Sequence, residues 1–329
     1  MSDRLRMHPA ELSLLIDATA KDVGLPVPFV EKDFWVTEVL RAASAQREIR
    51  MPDGHSATVS FIFKGGTSLS RVYGIIERFS EDVDLLAVFP VGSSPNARHK
   101  VLKQVDADVT RHLGVAKSDV TVGSSTTGVK RYTTYQYPAT GATGDALKEG
   151  VLLELGSRGG THPTGVYPYR SMVADYAAQH FGEGPEVWEE FEPFDVEVLA
   201  PERTMLEKLA SLHAAAVTGD LDKLRLFGRH LYDIGRLLDD IRVTSALDAM
   251  GPHGLLELVD DVNTHAVEAG FPGAPRPSTG YADSPALAPA GDVHEAIRHG
   301  YEAAQPLIHG ARIPLNEVFN IIEANRNRL

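Results

Sequence analysis

Two aspartates separated by a single residue are the side chains in this 329-residue sequence best suited to chemistry. Asp82 and Asp84 lie in an apolar run that reads as a strand, and side chains two apart on a strand share one face. Two carboxylates held this close repel each other unless a cation lies between them. Oxygen ligands suit Mg²⁺ or Mn²⁺, which keep waters and bind substrate phosphates.

A glycine-containing turn upstream supplies a matching phosphate site. Gly65 and Gly66 permit close backbone approach, and Thr67 and Ser68 are expected to begin a short helix whose free N–H groups attract phosphate. A phosphate site beside metal-binding carboxylates is typical of metal-assisted phosphoryl or nucleotidyl transfer. Alone, a Gly-Gly turn or an Asp-x-Asp pair is often an ordinary solvated turn or strand edge. Their combination between two apolar runs favours the metal site.

Predicted helices and strands alternate in the first part of the chain, and only helices are predicted in the second. These elements must position the residues described above. Hydrophobic periodicity predicts helices over 10–22, 28–45, 94–114, 201–217, 223–240, 254–269 and 314–326, with a short one ending near residue 73. Short apolar runs predict strands over 58–63 and 82–89 and near 118–122, 130–137 and 151–156. We therefore expect an α+β (mixed α/β) fold, with a mixed sheet flanked by helices in residues 1–198 and a mainly helical part in 199–329.

Composition narrows the class of protein further. The chain has 45 acidic and 32 basic residues, a formal net charge of −13 and no cysteine. It has no run of the ~18 apolar residues that a membrane helix needs, so we expect a cytoplasmic protein without a membrane partner. The acidity restricts any RNA contact to a local basic rim. Candidates for that rim are Arg98, Lys100, Lys103 and Arg111 on one helix, and Arg41, Arg47 and Arg50 near the end of another.

Three further features are open to two interpretations each. Glu154 lies between leucines on a predicted strand, where it is either a third acidic metal ligand or a buried carboxylate paired with Arg78 or Arg158. Arg131, Tyr132 and Tyr135 either contact nucleic acid or form an ordinary sheet face. The segment 271–291 holds five of the chain's 20 prolines and is either a linker or a wrapped, functional loop.

Several motifs in order resemble a known family. The segment KGGTSL at 64–69 followed by RFSEDVDL at 78–85 resembles the signature of the nucleotidyltransferase superfamily and, more closely, of the AbiEii toxins of AbiE-type toxin–antitoxin systems, including their MenT members. The segments EKDFWV at 31–36, PERTMLEKL at 201–209 and RHLYDI at 229–234 also resemble family segments. The similarity covers about residues 28–240 and extends to GYADSP at 280–285. This resemblance implies that the piece packs against the first half of the chain and is not a free linker.

The resemblance implies a role for each matched residue. Gly65, Gly66, Thr67 and Ser68 would hold the triphosphate of an NTP substrate, and Asp82 and Asp84 would bind the divalent metal. Lys208 would contact the triphosphate, and Asp233 would be a later essential aspartate with a metal-assisting or base role. The site would then draw on both a nucleotidyltransferase-fold domain (1–198) and a helical domain (199–329). Without the resemblance, Lys208 reads as a lysine on a solvated helix face, and Asp233 as the partner of Arg229 in a surface pair.

The activity implied is transfer of nucleotides from an NTP to the 3′ end of tRNA, which would block aminoacylation and translation. The implied partners are tRNA and a cognate AbiEi-like antitoxin. Two alternatives stay open: a protein nucleotidyltransferase or phosphoryl-transfer enzyme on the same fold, and a nucleotide-binding module without catalysis. The sequence does not specify the NTP, the tRNA, the number of nucleotides added or the oligomeric state.

Overall fold

The computed structural model describes residues 3–80, 82–139 and 147–329, which form two compact units. The first unit comprises residues up to Thr67, Ser80–Ser157 and Thr164–Val198; the second comprises Ser68–Phe79, Arg158–Pro163 and Leu199–Leu329. The described helices are α1 (Pro9–Val23), α2 (Val27–Ser44), α3 (Gly65–Arg71), α4 (Pro95–Leu113), α5 (Met172–Phe181), α6 (Pro201–Val217), α7 (Leu221–Asp239), α8 (Ile241–Glu268), α9 (Asp292–Ala303) and α10 (Leu315–Ala324).

A mixed sheet forms the centre of the first unit. Its strands in the described residues are β1 (Arg47–Arg50), β2 (Ser56–Lys64), β3 (Asp82–Val88), β4 (Val120–Thr126), β5 (Lys130–Tyr135), β6 (Val151–Gly156), β7 (Thr164–Tyr169) and β8 (Phe194–Leu199). They lie in the order β4-β5-β6-β3-β2-β8-β7, and β1 pairs with β2. The β2–β3 and β5–β6 pairs are antiparallel, whereas β3–β6 and β2–β8 are parallel. The predicted mixed α/β class is confirmed.

Local signals in the sequence explain several of the helix boundaries. The Ser94 hydroxyl accepts a hydrogen bond from the Ala97 N–H at the start of α4, and Gly114 closes that helix in the left-handed region at φ 69°. Pro201 occupies the first turn of α6. The helix predicted from residue 254 is the second part of α8, because Gly251 breaks the helical backbone at φ 64° just before Pro252.

The second unit is a helical assembly with its own core. Apolar side chains of α6, α7 and α8, including Leu206, Leu231 and Val259, are buried together with Ile75 from the short segment after α3. No strand falls within residues 201–329. Among the helices of the described residues, none combines the length and apolar character that a bilayer span requires.

The proline-rich segment 271–291 is ordered within the second unit. Its short helical turns pack on α6, and the buried His213 of that helix hydrogen-bonds to the Ser284 hydroxyl at 2.9 Å and to the Pro275 carbonyl at 3.1 Å. The Tyr281 N–H donates to the Leu329 carbonyl oxygen at 2.9 Å. The segment is therefore not a linker, and these contacts lie in the second half of the chain rather than the first.

Candidate active site

The glycine turn connects β2 directly to α3. The helix begins at Gly65, two residues before the start expected from the sequence, so Gly65, Gly66, Thr67 and Ser68 form its first turn. Gly65 has φ +81°, and a Cβ at this position would overlap the Asp84 carboxylate. The Thr67 hydroxyl donates to the Asp82 carbonyl oxygen at 2.6 Å. This turn and the beginning of β3 are thus fixed to each other, and only glycine fits at position 65.

The registers of the sheet place four functional side chains in one row. Lys64 on β2 lies opposite Asp84 on β3, Asp84 is paired with Glu154 on β6, and Glu154 is paired with Tyr132 on β5. Residues paired across strands share a face of the sheet. Asp82, two residues before Asp84, lies on the same face. The structure therefore brings Asp82, Asp84 and Glu154 together, and we call these three the acidic row.

The charges in the acidic row perturb one another. Burial and the negative charges of Asp84 and Asp82 raise the pKa of Glu154 to about 7, and Glu154 hydrogen-bonds to Asp84. The positive charge of Lys64 lowers the pKa of Glu154, but by less than the other effects raise it. Burial and the same carboxylates raise the pKa of Tyr132 to about 12, and its phenol bonds to Glu154. Two adjacent negative charges are unfavourable, so the carboxylates of Asp82 and Asp84 favour the protonated form of Glu154.

A divalent cation suits the chemistry of these donors. The acidic row offers only oxygen ligands, and a divalent cation would relieve the repulsion between its carboxylates. Within residues 3–80, 82–139 and 147–329, no group of three or more acidic, histidine or cysteine side chains is placed so that it could hold a metal ion by itself. Asp82 and Asp84 therefore fit a magnesium-type site that waters and substrate phosphates complete.

Two lysines that the sequence analysis did not select lie at the acidic row or support it. Lys148 Nζ is 3.5 Å from Asp82 Oδ2. Lys32 on α2 is buried, and its ammonium donates to the carbonyls of Lys148, at 2.7 Å, and Gly150, just before β6. The signal for Lys32 was a lysine among apolar residues on one helix, which needs buried oxygen partners. Nothing local in the sequence indicated Lys148, because its partner Asp82 lies on β3, far from it along the chain.

Lys208 and Asp233 lie together in the second unit. Lys208 Nζ on α6 is 2.9 Å from Asp233 Oδ2 on α7. The Arg78 guanidinium donates to both oxygens of Asp233, at 2.6 and 2.7 Å. Lys208 is buried, so it is not the lysine on a solvated face that the sequence allowed. Asp233 is fully buried and pairs with Arg78 and Lys208, so it is not half of a surface pair with Arg229.

The hydrogen bonds of Arg78 and Arg158 show whether either arginine is the partner of Glu154. Arg78 is engaged by Asp233, and Arg158 donates to the Glu268 carbonyl at 2.7 Å, both within the second unit. Glu154 instead interacts with Asp84 and Tyr132. The alternative in which Glu154 neutralises one of these arginines is therefore wrong.

The aromatic and basic side chains of β5 lie on two opposite faces of the sheet. Arg131, Thr133 and Tyr135 all contact the Asp106 carboxylate on α4, with Thr133 and Tyr135 each at 3.0 Å. Tyr132 lies on the other face beside Glu154, with Lys130 Nζ 5.4 Å from its ring centre. Arg131 and Tyr135 thus have a structural role, and Tyr132 lies beside the acidic row.

Several members of the suggested basic rim also have structural partners. Arg41 donates to the carbonyls of Glu190 and Glu192 at 3.0 and 2.7 Å. Arg47 is buried and pairs with Asp108 at 3.0 Å, and Arg111 pairs with the same aspartate at 3.0 Å. Arg41 and Arg47 therefore support the first unit, whereas the Arg111 side chain is 76% exposed and stays a candidate for the rim on α4 with Arg98, Lys100 and Lys103.

The fold and site define a mixed α/β protein with paired strand carboxylates beside a glycine-initiated helix, an arrangement suited to handling phosphates. The family model described as nucleotidyl transferase AbiEii toxin, Type IV TA system, matches residues 55–308. The chain belongs to the AbiEii family, and it is a nucleotidyltransferase toxin of a toxin–antitoxin system. This confirms the resemblance seen in the motifs, and it implies an NTP substrate and an antitoxin partner. A comparison with curated proteins finds no match.

Proposed function

We propose that this protein transfers nucleotides from an NTP to the 3′ end of tRNA, and that Asp82 and Asp84 bind the divalent metal the reaction needs. The observation that carries the metal proposal is the acidic row. Three carboxyls share one face of the sheet, and two of them are hydrogen-bonded. The tRNA acceptor is supported by membership in the toxin family, since nucleotides added to a tRNA end would stop its aminoacylation.

The acidic row would bind the metal, and Gly65 and Thr67 would support its geometry. Asp82 and Asp84 would hold Mg²⁺ or Mn²⁺, with Glu154 as a third ligand or as the hydrogen-bonding support of Asp84. When bound, the metal supplies charge neutralisation at the phosphates and orients the acceptor hydroxyl. Gly65 keeps the backbone clear of the Asp84 carboxylate, and Thr67 holds the start of β3 through its bond to the Asp82 carbonyl.

The remaining site residues act on the triphosphate. The backbone N–H groups of Gly65, Gly66, Thr67 and Ser68 form the first turn of α3 and would bind phosphate oxygens. The Lys208 ammonium would offset the charge of the triphosphate. We further propose that residues 1–198 form the nucleotidyltransferase-fold domain and that residues 199–329 form the helical domain carrying Lys208 and Asp233. The proposed protein partner is an AbiEi-like antitoxin.

A labelling assay tests the function. The purified protein is incubated with each labelled NTP, total tRNA and Mg²⁺ or Mn²⁺, and the tRNA 3′ ends are sequenced. We expect labelled tRNA with at least one NTP, and loss of about 100-fold or more of the activity in Asp82→Ala, because the metal-binding carboxylate is gone. Asp195→Ala is the matched control, since Asp195 is an exposed aspartate on β8 of the same sheet.

The outcomes separate the acceptor classes. Label on protein, detected by intact-mass analysis, with none on tRNA would establish a protein nucleotidyltransferase instead. Tight NTP binding with no transfer to any RNA or protein pool would indicate a nucleotide-binding module. Equal activity of Asp82→Ala and the wild type would refute the role given to the acidic row.

A further inference from the structure

The carboxylate of Asp233 is enclosed by cations. Its Oδ1 accepts from Arg78 Nε at 2.6 Å, and its Oδ2 accepts from Arg78 Nη2 at 2.7 Å and lies 2.9 Å from Lys208 Nζ. All three side chains belong to the second unit, and Asp233 has no exposed surface. Both oxygens of the carboxylate are therefore committed to positive partners.

This environment suits neither a proton acceptor nor a metal ligand. Burial alone would raise the pKa of Asp233, but Arg78 and Lys208 outweigh it and hold that pKa well below its usual range. A carboxylate that stays ionised so strongly is a poor general base near neutral pH. Two cations already adjacent to its oxygens would also repel an approaching metal ion.

The carboxylate of Asp233 also influences the charge state of Lys208. Burial lowers the pKa of Lys208 and Asp233 raises it, so the carboxylate supports the ammonium form. Arg229 adds a further unfavourable positive charge near Lys208. Asp233 thus favours the charged form of Lys208, which is the form that binds a phosphate group.

We propose that Asp233 is a positioning residue, which holds the charged Lys208 ammonium in place for the triphosphate of the NTP and acts as neither general base nor metal ligand. The inference rests on the proposed function, because it assigns Lys208 to nucleotide binding. Asp233 fixes Lys208 from α7 and is itself oriented by the two hydrogen bonds from Arg78.

A double-mutant cycle tests the coupling. Binding of each NTP is measured by calorimetry with Mg²⁺ for the wild type, Lys208→Met, Asp233→Asn and the double variant. We expect Lys208→Met to weaken binding at least about ten-fold, as for loss of one charge-assisted hydrogen bond. Asp233→Asn should also weaken it, whereas the double variant should bind no more weakly than Lys208→Met, because Asp233 acts through Lys208.

Other outcomes would overturn the inference. Additive effects on NTP affinity would show that Asp233 acts independently of Lys208. Unchanged NTP affinity in Asp233→Asn with the transfer rate abolished would indicate a general base. Weaker binding of Mn²⁺ alone in Asp233→Asn would indicate a metal ligand. A wild-type protein that neither binds nor transfers NTP would instead refute the proposed function itself.

Controls address folding. Asp261→Asn is the matched control. The Asp261 carboxylate on α8 lies 2.6 Å from the buried Arg203, which is on α6 like Lys208, and its loss should leave NTP affinity unchanged. If Asp233→Asn does not fold, Asp233→Glu replaces it in the cycle. This variant keeps the charge but displaces Lys208, so it should weaken NTP binding when Lys208 is present and have no effect in combination with Lys208→Met.

Discussion

Replacing Gly65 with alanine tests the geometry of the candidate active site. Gly65 has φ +81°, a conformation that residues with a Cβ adopt at a cost, and its added Cβ would overlap the Asp84 carboxylate. The substitution thus combines a strained backbone with displacement of a proposed metal ligand. Gly54→Ala is a matched control, because Gly54 has φ +93° in the same unit but no atom within 4 Å of the Cβ position.

The structure gives a magnitude for each effect. The backbone strain shared by both variants corresponds to about 1–2 kcal/mol of unfolding free energy. In Gly65→Ala the Asp84 carboxylate must also move by about an ångström or more, and a displacement of that size at a reacting centre can reduce the rate by about 100-fold. We therefore expect similar strain in the two variants, but a large loss of nucleotide transfer only in Gly65→Ala.

Three measurements make the comparison. Urea denaturation followed by circular dichroism reports the loss of stability, calorimetry with Mn²⁺ reports metal affinity, and labelled NTP with tRNA reports transfer. Mn²⁺ affinity should fall in Gly65→Ala and stay at the wild-type value in Gly54→Ala. A rate of nucleotide transfer in Gly65→Ala within about three-fold of the rate in Gly54→Ala would refute the reasoning. An enzyme whose metal-binding carboxylate is displaced this far should lose much more of its rate.

Three further predictions follow from individual contacts. Glu154→Gln should weaken Mn²⁺ binding by about ten-fold in calorimetry, because the acidic row loses a charge; unchanged affinity would exclude Glu154 from the site. The pKa of Asp233 is depressed in the folded state, so its contribution to stability is full above about pH 4 and is lost as the pH falls further. Lys208→Met and the Lys208→Met/Asp233→Asn double variant are compared, because neither has a lysine at position 208 whose own titration would change with Asp233. Their difference in unfolding free energy should be constant from pH 8 to 5 and narrow only below about pH 4 in urea denaturation, since Arg78 still lowers the pKa of Asp233; narrowing near neutral pH would contradict the depressed pKa. Gly228→Ala should destabilise the protein by about 1–3 kcal/mol, because its Cβ would overlap the backbone of α9 at Gly300, whereas Gly254→Ala meets only the flexible Met250 side chain and should cost less in the same melts.

Several elements escaped the sequence analysis for identifiable reasons. The strand β8 alternates Phe194, Val196 and Val198 with polar residues, a period-two signal that was available but short. The helix α9 contains Gly300, a weak helix former. In the fold, this glycine lies where α9 approaches the backbone of Arg225 on α7, a contact that no Cβ could make. Helix propensity therefore disfavours α9, whereas helix packing requires the glycine.

The sequence by itself determined the features that depend on neighbouring residues. Short apolar runs indicated β2, β3 and β6, and Ser94 with Gly114 marked the ends of α4. The spacing of Asp82 and Asp84 placed two carboxylates on one face before any tertiary contact was known. The ordered motifs around them were specific enough to indicate the family, which the match over residues 55–308 confirms.

Tertiary structure alone decided the partners of the buried charges. Glu154 joins Asp84 because β6 pairs in parallel with β3, and Asp233 joins Arg78 and Lys208 because α7 packs on α6. From the sequence, Glu154 was either a metal ligand or the partner of an arginine, and i,i+4 spacing offered Arg229 as the partner of Asp233. A buried charge is stabilised by whichever group the fold brings within hydrogen-bonding distance, and strand register and helix packing determine that group.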